Sequence, residues 1–207
     1  MLDFFLNSYK NASSLQIFLE ATAFIFGIVS VWFAKKENIW VYPTGIIATI
    51  ITSYLLYVAG YLGDMMVNVY FTIMSFYGWI NWSQSNINNT FLQISNITIK
   101  ERNIGIGLFA TTIFVVFGIY KIFNVEIKTD NYFDMIASGI FFTAMWYMAK
   151  KKLQNWTLWI IGNIFVIPLY AYRGYGMLSL QYIIFTILAV SAYSAWKKNL
   201  DNNRQIS

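Results

Sequence analysis

The sequence predicts an all-α membrane protein of seven transmembrane helices, built as two parallel three-helix bundles joined by a linker helix. Three observations carry this. The 207-residue chain is 58% hydrophobic and 20% aromatic but only 11% charged, against roughly 25% charged residues in a soluble domain. Its apolar runs recur at the ~20 residues that an α-helix needs to cross about 30 Å of hydrocarbon. Landmarks of the first half also return in the second. Lys35-Lys36, Trp40, Tyr54, Gly60, Leu62, Ser75 and Tyr77 reappear about 116 residues later as Lys151-Lys152, Trp156, Tyr170, Gly176, Leu178, Ser191 and Tyr193. A duplicated bundle in a membrane protein points to transport, because two facing halves enclose a path that opens to either side.

The spans fall at about 17–35, 39–59, 63–82, 103–123, 131–150, 154–172 and 176–197. Ahead of them, residues 1–16 carry Asp3 and Lys10 and no small-residue cleavage pattern, so they do not read as a signal peptide. Leu2, Phe4, Phe5 and Leu6 make this segment a candidate interfacial helix. No charge occurs between Glu37 and Asp64, so span two is a full crossing, and Pro43 falls in its first turn, where proline is tolerated. Residues 17–82 form the first bundle, and the Asn- and Ser-rich stretch 83–102 a polar cytoplasmic loop. Three crossings reverse the chain's direction. The linker span, with its outer loop to residue 130, reverses it again, so the second bundle, 131–197, runs parallel to the first.

Orientation follows from the basic residues. Lys35, Lys36, Lys100, Arg102, Lys150, Lys151, Lys152, Lys197, Lys198 and Arg204 all fall on the side of the C-terminal tail, 198–207. The positive-inside rule then places the C-terminus in the cytoplasm and the N-terminus outside, in an inner (plasma) membrane. The net charge of +5 is thereby a topology and lipid-headgroup signal; no nucleic-acid partner is expected.

The chain has neither Cys nor His, which removes disulfides, thiolate nucleophiles, most zinc and haem ligation and the commonest general base. It has no P-loop pattern for ATP. No cofactor, metal or catalytic residue is expected, and an enzyme is disfavoured.

Span six carries the sharpest candidates. Trp156, Trp159 and Asn163 share one helical face by their spacing, with Asn163 about 10 Å deeper than Trp156. A side-chain amide at that depth needs partners, and it can donate to and accept from a polar ligand. The plainer readings are a belt aromatic for Trp156 and an interhelical hydrogen bond for Asn163. Span three presents a polar stripe, Asp64, Asn68, Thr72, Ser75 and Trp79, which faces the bundle interior. Asn68 is its best ligand candidate, while Ser75 is expected only to bond its own helix. Gln181 is the one amide in span seven, and Tyr54, Tyr170 and Tyr182 are candidates to close the outer part of the same cavity. Pro168 removes a backbone donor beyond Asn163 and predicts a kink there that serves as a hinge. Glu20, Asp64 and Asp134 fall near outer span ends, where solvated interface carboxylates are the expectation; with none at mid-span, proton coupling is disfavoured.

At this point the residues resemble a known family. The run Lys35-Lys36-Glu37-Asn38-Ile39-Trp40-Val41-Tyr42-Pro43-Thr44-Gly45, then Gly63-Asp64-Met65-Met66-Val67-Asn68-Val69-Tyr70, Tyr77-Gly78-Trp79, the Trp-x-x-Trp-x-x-x-Asn segment and Ile167-Pro168-Leu169-Tyr170 look like the PnuC vitamin transporters over about residues 15–198. The resemblance implies a SWEET-like seven-helix fold, a homotrimer in the bilayer, and uptake of nicotinamide riboside by facilitated diffusion with metabolic trapping by a cytoplasmic kinase. By position, Trp156, Trp159 and Asn163 match the binding motif, and Asn68 stands where the family has Asn or Gln. Thiamine, another aromatic cation carried in the same superfamily, is the alternative substrate. A non-transporting sensor and an intramembrane enzyme are the alternatives from other classes.

Overall fold

The computed structural model describes residues 13–58, 62–84, 92–122, 126–173 and 176–206, with the side chains of 62–64 and 203–206 left aside. The interfacial helix at Leu2 to Leu6, the break at Gly60 and the side chain of Asp64 therefore lie outside the described residues. Within them are seven α-helices: α1 Ser14–Lys35, α2 Val41–Val58, α3 Leu62–Ser83, α4 Ile99–Ile122, α5 Thr129–Ala149, α6 Gln154–Tyr172 and α7 Gly176–Ile206. Two boundaries differ from expectation. α4 starts earlier because Thr98 and Glu101 form a reciprocal cap, with Glu101 N–H donating to Thr98 Oγ1 at 3.2 Å and Thr98 N–H to Glu101 at 2.9 Å. α7 runs on through the tail to Ile206.

Four helices are long and apolar enough to cross a membrane by length and composition: α1, α2, α4 and α7 through Asn202. The other three dilute their hydropathy with groups that point inward, such as Asn68 on α3, Asp134 on α5 and Asn163 on α6. The chain is a multi-pass membrane protein.

Neighbours in sequence pack on one another: α1 on α2, α2 on α3, α5 on α6, α6 on α7, and α4 on α5. Two further contacts tie the outer members of these groups, α1 against α7 and α3 against α5. Close approach depends on glycine in places. A Cβ at Gly78 would overlap the Tyr42 ring, and one at Gly162 would overlap the Phe141 ring.

α1 and α5 end alike. Glu37 N–H donates to Ala34 O and Asn38 N–H to Phe33 O, both at 3.0 Å; Lys151 N–H donates to Met148 O and Lys152 N–H to Tyr147 O, both at 2.9 Å. Each is a Schellman cap, whose turn residue sits in the left-handed region, Glu37 at φ 55 and Lys151 at φ 49. Glycine normally fills that position, since a Cβ there costs about 1–2 kcal/mol. Here the side chains are used. Lys151 Nζ reaches Glu37 Oε2 at 3.4 Å and lies 4.5 Å from the centre of the Trp82 ring, and Asn199 donates to the other Glu37 oxygen at 2.8 Å.

Around this pair, Tyr42, Trp82, Trp156 and Trp196 form one buried cluster. Tyr42 and Trp82 meet edge to face at 5.1 Å, as do Trp156 and Trp196 at 5.5 Å. Trp196 Nε1 donates to Ala34 O at 2.9 Å, tying α7 to α1. The stretch after 91, expected as a polar surface loop, buries Ile94 in the same cluster. It pairs with the α5–α6 turn, Ser95 N–H to Lys151 O at 3.1 Å and Leu153 N–H to Ser95 O at 2.9 Å.

Candidate functional site

Above that aromatic floor the helices enclose a cavity of about 780 Å³. Its lining reaches from Tyr42 and Trp156 at the floor to Glu126, Lys128, Asp130 and Arg173 at the opposite end of the bundle.

The wall from α5, α6 and α7 is aromatic. Trp159 stacks on Phe141 at 5.3 Å and 30°, Phe141 faces Tyr182 at 6.2 Å and 18°, and Tyr182 stacks on Tyr170 at 5.3 Å and 16°. The indole N–H groups of Trp156 and Trp159 are buried without a hydrogen-bond partner among the described residues, as is the Tyr42 hydroxyl. Asn163, 2% exposed, lines the same cavity one turn beyond Trp159, and its amide makes no hydrogen bond among the described residues. Buried polar groups are nearly always paired.

The wall from α1, α2 and α3 is small and hydroxylated. Ser30 Oγ donates to Val41 O at 2.7 Å, Thr49 and Thr72 share a hydrogen bond at 2.7 Å, and Ser75 is buried against the cavity. Gly45 stands between these hydroxyls, where a Cβ would come 3.0 Å from Ser30 Oγ and 3.8 Å from Ser75 Oγ.

At the far end Arg173 clasps two carboxylates of α5. Its Nε donates to Asp130 at 2.8 Å and its Nη2 to Asp134 at 2.6 Å. Burial opposes the charge on this guanidinium, but the hydrogen bonds and charges of Asp134 and Asp130 outweigh it and raise its pKa above the ordinary value.

The sequence-predicted residues divide clearly. Trp156, Trp159, Asn163, Asn68 and Gln181 all line this one cavity, together with Tyr170 and Tyr182. Trp156 is buried in the floor rather than set in an interfacial belt. Thr72 sits one layer back, holding Thr49. Tyr54 and Trp79 were expected at the site and are not there: they are 54% and 38% exposed and absent from the lining, because α2 and α3 turn Thr52, Leu56 and Ser75 inward instead. Pro168 lies inside α6 and lines a separate groove of about 710 Å³ that adjoins the cavity at Lys128 and Asp130, and is not itself part of the cavity lining. Ser75 makes no hydrogen bond within its own helix among the described residues, against expectation, and faces the cavity. Asp134, expected as a solvated interface residue, lines the cavity beside Asp130.

The repeat register also changes. Glu37 and Lys151, the two left-handed turn residues, lie 114 residues apart. The cavity-lining pairs Tyr42/Trp156, Gly45/Trp159, Thr49/Asn163, Thr52/Val166 and Leu56/Tyr170 keep the same separation. So do Gly27/Phe141 on α1 and α5, and Asn68/Tyr182 and Phe71/Phe185 on α3 and α7. Identity pairs Trp40 with Trp156, but Trp40 is 57% exposed and precedes α2, whereas Tyr42, 1% exposed and 114 residues before Trp156, lines the cavity with it. Thr49, Ser30, Phe141 and Gly45 are therefore site positions that the identity-based register missed.

A multi-pass helical bundle with an internal cavity lined by stacked aromatic faces and amides is the architecture of a membrane transporter. The chain belongs to the nicotinamide mononucleotide transporter family, whose model matches residues 17–198. It is 25% identical over 201 residues to the nicotinamide riboside transporter PnuC of Escherichia coli (strain K12) and to that of Shigella flexneri, covering 86% of this chain and 84% of each of those proteins. Its fold matches the crystal structure of the vitamin B3 transporter PnuC with a TM-score of 0.73 at 22% identity, over 89% of this chain and 83% of that one.

Proposed function

We propose that the protein imports nicotinamide riboside by facilitated diffusion, with alternating access between two three-helix bundles. The observation that carries the substrate is the Trp159–Phe141–Tyr182–Tyr170 column beside the partnerless indole donors and the Asn163 amide. Nicotinamide riboside has a flat pyridinium ring with a fixed positive charge, and each aromatic face attracts such a cation by about 0.5–2 kcal/mol. Its carboxamide oxygen and sugar oxygens are the acceptors that these donors need. Asn68 and Gln181 offer further amides in the same lining.

The parallel bundles, α1–α3 and α5–α7 with α4 as linker, are supported by packing. Exchanging α1 with α5 and α3 with α7 turns the α1–α7 contact into the α3–α5 contact, and both occur. All seven helices then cross the membrane. With the N-terminus outside, the Arg173 end of the cavity faces outward and the Trp82–Trp156–Trp196 floor faces the cytoplasm. Alternation opens that floor, with Pro168 in α6 as the hinge. Uncoupled transport is supported by the pairing of Asp130 and Asp134 with Arg173, which leaves neither as an isolated proton carrier, while the third lining carboxylate, Glu126, stands at the mouth in the loop before α5; phosphorylation inside the cell traps the product.

Titration of purified protein with nicotinamide riboside and with thiamine tests the site. Trp159→Ala and Asn163→Ala should each weaken riboside binding about tenfold or more. Unchanged binding of whichever ligand is taken, in both variants, places the site elsewhere. In sealed liposomes, uptake should equilibrate without a proton gradient; gradient-driven accumulation overturns the uncoupled mechanism, and impermeable liposomes favour a sensor.

A further inference from the structure

The two halves of the cavity match in register and differ in chemistry. Where the second half presents Phe141, Trp159 and Tyr182, the first presents Gly27, Gly45 and Asn68. Opposite Asn163 stands Thr49. One wall offers π faces and donors; the other offers recesses and hydroxyl oxygens. A ligand that is flat and aromatic at one end and polyhydroxylated at the other fits such a cavity in a single orientation.

Resting on the substrate reading above, we propose that this broken pairing sets the nicotinamide ring against the second bundle and the sugar against the first. Thr49, braced by Thr72, is then the residue that reads the sugar hydroxyls. The hydroxyl pair is built for it. Thr49 Oγ1 lies 2.7 Å from Thr72 Oγ1 and 3.0 Å from the Gly45 carbonyl, while Thr72 Oγ1 donates to the Asn68 carbonyl at 3.0 Å. The shared bond runs in one of two senses: Thr49 donates to Thr72 while Thr72 donates to the Asn68 carbonyl, or Thr72 donates to Thr49 while Thr49 donates to the Gly45 carbonyl. In either arrangement the Thr49 oxygen keeps one or both of its lone pairs unused, on a residue that lines the cavity. Those lone pairs accept from a sugar hydroxyl. Gly45 leaves the wall clear beside them, since no side chain extends from it past Ser30 and Ser75.

The test is a titration of wild type and Thr49→Val with nicotinamide riboside and with its analogue lacking the 2′- and 3′-hydroxyls. Wild type should bind the riboside about five to ten times more tightly than the analogue. Thr49→Val should lose that preference and bind the analogue as tightly as wild type does. Thr49→Ser should restore riboside binding to within about twofold, and Thr49→Ala serves in place of Val if Val does not fold. Equal weakening of both ligands would make Thr49 a packing residue, and unchanged riboside binding would remove it from the site; either result overturns the proposal. If wild type binds neither nicotinamide compound, the substrate reading has failed and this inference falls with it.

Discussion

The aromatic floor, cytoplasmic in the orientation proposed above, is held by a side chain in an unfavourable backbone position, which makes Lys151→Met an informative perturbation. Methionine keeps the length and apolar stem of lysine and meets the same left-handed backbone at φ 49, so the backbone term cancels. What is lost is the partly shielded ion pair to Glu37 at 3.4 Å and the cation over Trp82 at 4.5 Å. A pair of this exposure contributes about 0.2–1 kcal/mol, and the cation–π contact about 0.5–1 kcal/mol or somewhat more. Together they favour the closed floor by about 1–2 kcal/mol, a factor of about 5–30 in population. The chain has no cysteine, so Ala189→Cys introduces a single thiol at a buried lining position beside the floor. In sealed vesicles, an impermeant thiol reagent on the cytoplasmic face should modify that thiol about 5–30 times faster when Lys151→Met is added, as long as the open state stays minor. Modification from the outer face should slow. Unchanged rates on both faces refute the latch, and acceleration on both faces means that the helices have loosened rather than rocked.

Other expectations follow from the same geometry. Gly162→Ala forces the Phe141 ring aside, so thermal melting should show a loss of about 1–3 kcal/mol, with weaker riboside binding in the same preparation. Tyr54→Ala and Trp79→Ala remove exposed side chains away from the lining, and titration should find affinities within about twofold of wild type. Arg173→Gln leaves Asp130 and Asp134 side by side without their shared cation. Its melting temperature should fall at neutral pH and recover on acidification, since protonation removes the repulsion between the carboxylates; a deficit independent of pH would mean that the arginine acts through packing alone.

The helices were legible because membrane insertion writes length and apolarity directly into sequence: all seven spans correspond to helices, with end shifts at α4, where the Thr98–Glu101 cap was overlooked, and at α7. Trp156, Trp159 and Asn163 were legible because spacing alone puts them on one face. The first-half wall was not. Glycine, serine and threonine carry little signal singly, and periodicity on α3 could not tell which polar residues face the cavity and which face outward, so Trp79 was included and Ser75 discounted. The repeat register failed for a related reason. Lys and Trp collect near the membrane boundary wherever the chain turns, and this produced identities at Lys35/Lys151 and Trp40/Trp156 that mark a shared environment rather than equivalent positions.

The true correspondence is hidden where the halves serve the ligand and plain where they serve closure. At the floor end, Lys36 lies over Trp32 at 3.6 Å and Lys150 over Trp146 at 4.7 Å, repeating the register of Glu37 and Lys151, and α1 and α5 end in the same cap. Under the proposed alternating access, two bundles that rock about a common axis must present like surfaces where they meet, so divergence there is opposed by packing. A ligand without two-fold symmetry makes the opposite demand on the interior. Trp159 and Asn163 on one side require something other than Trp and Asn on the other, or the cavity would fill with indole and hold donors that one ligand cannot satisfy. Gly45 and Thr49 meet that requirement in the proposed site, where each faces the cavity 114 residues before Trp159 and Asn163.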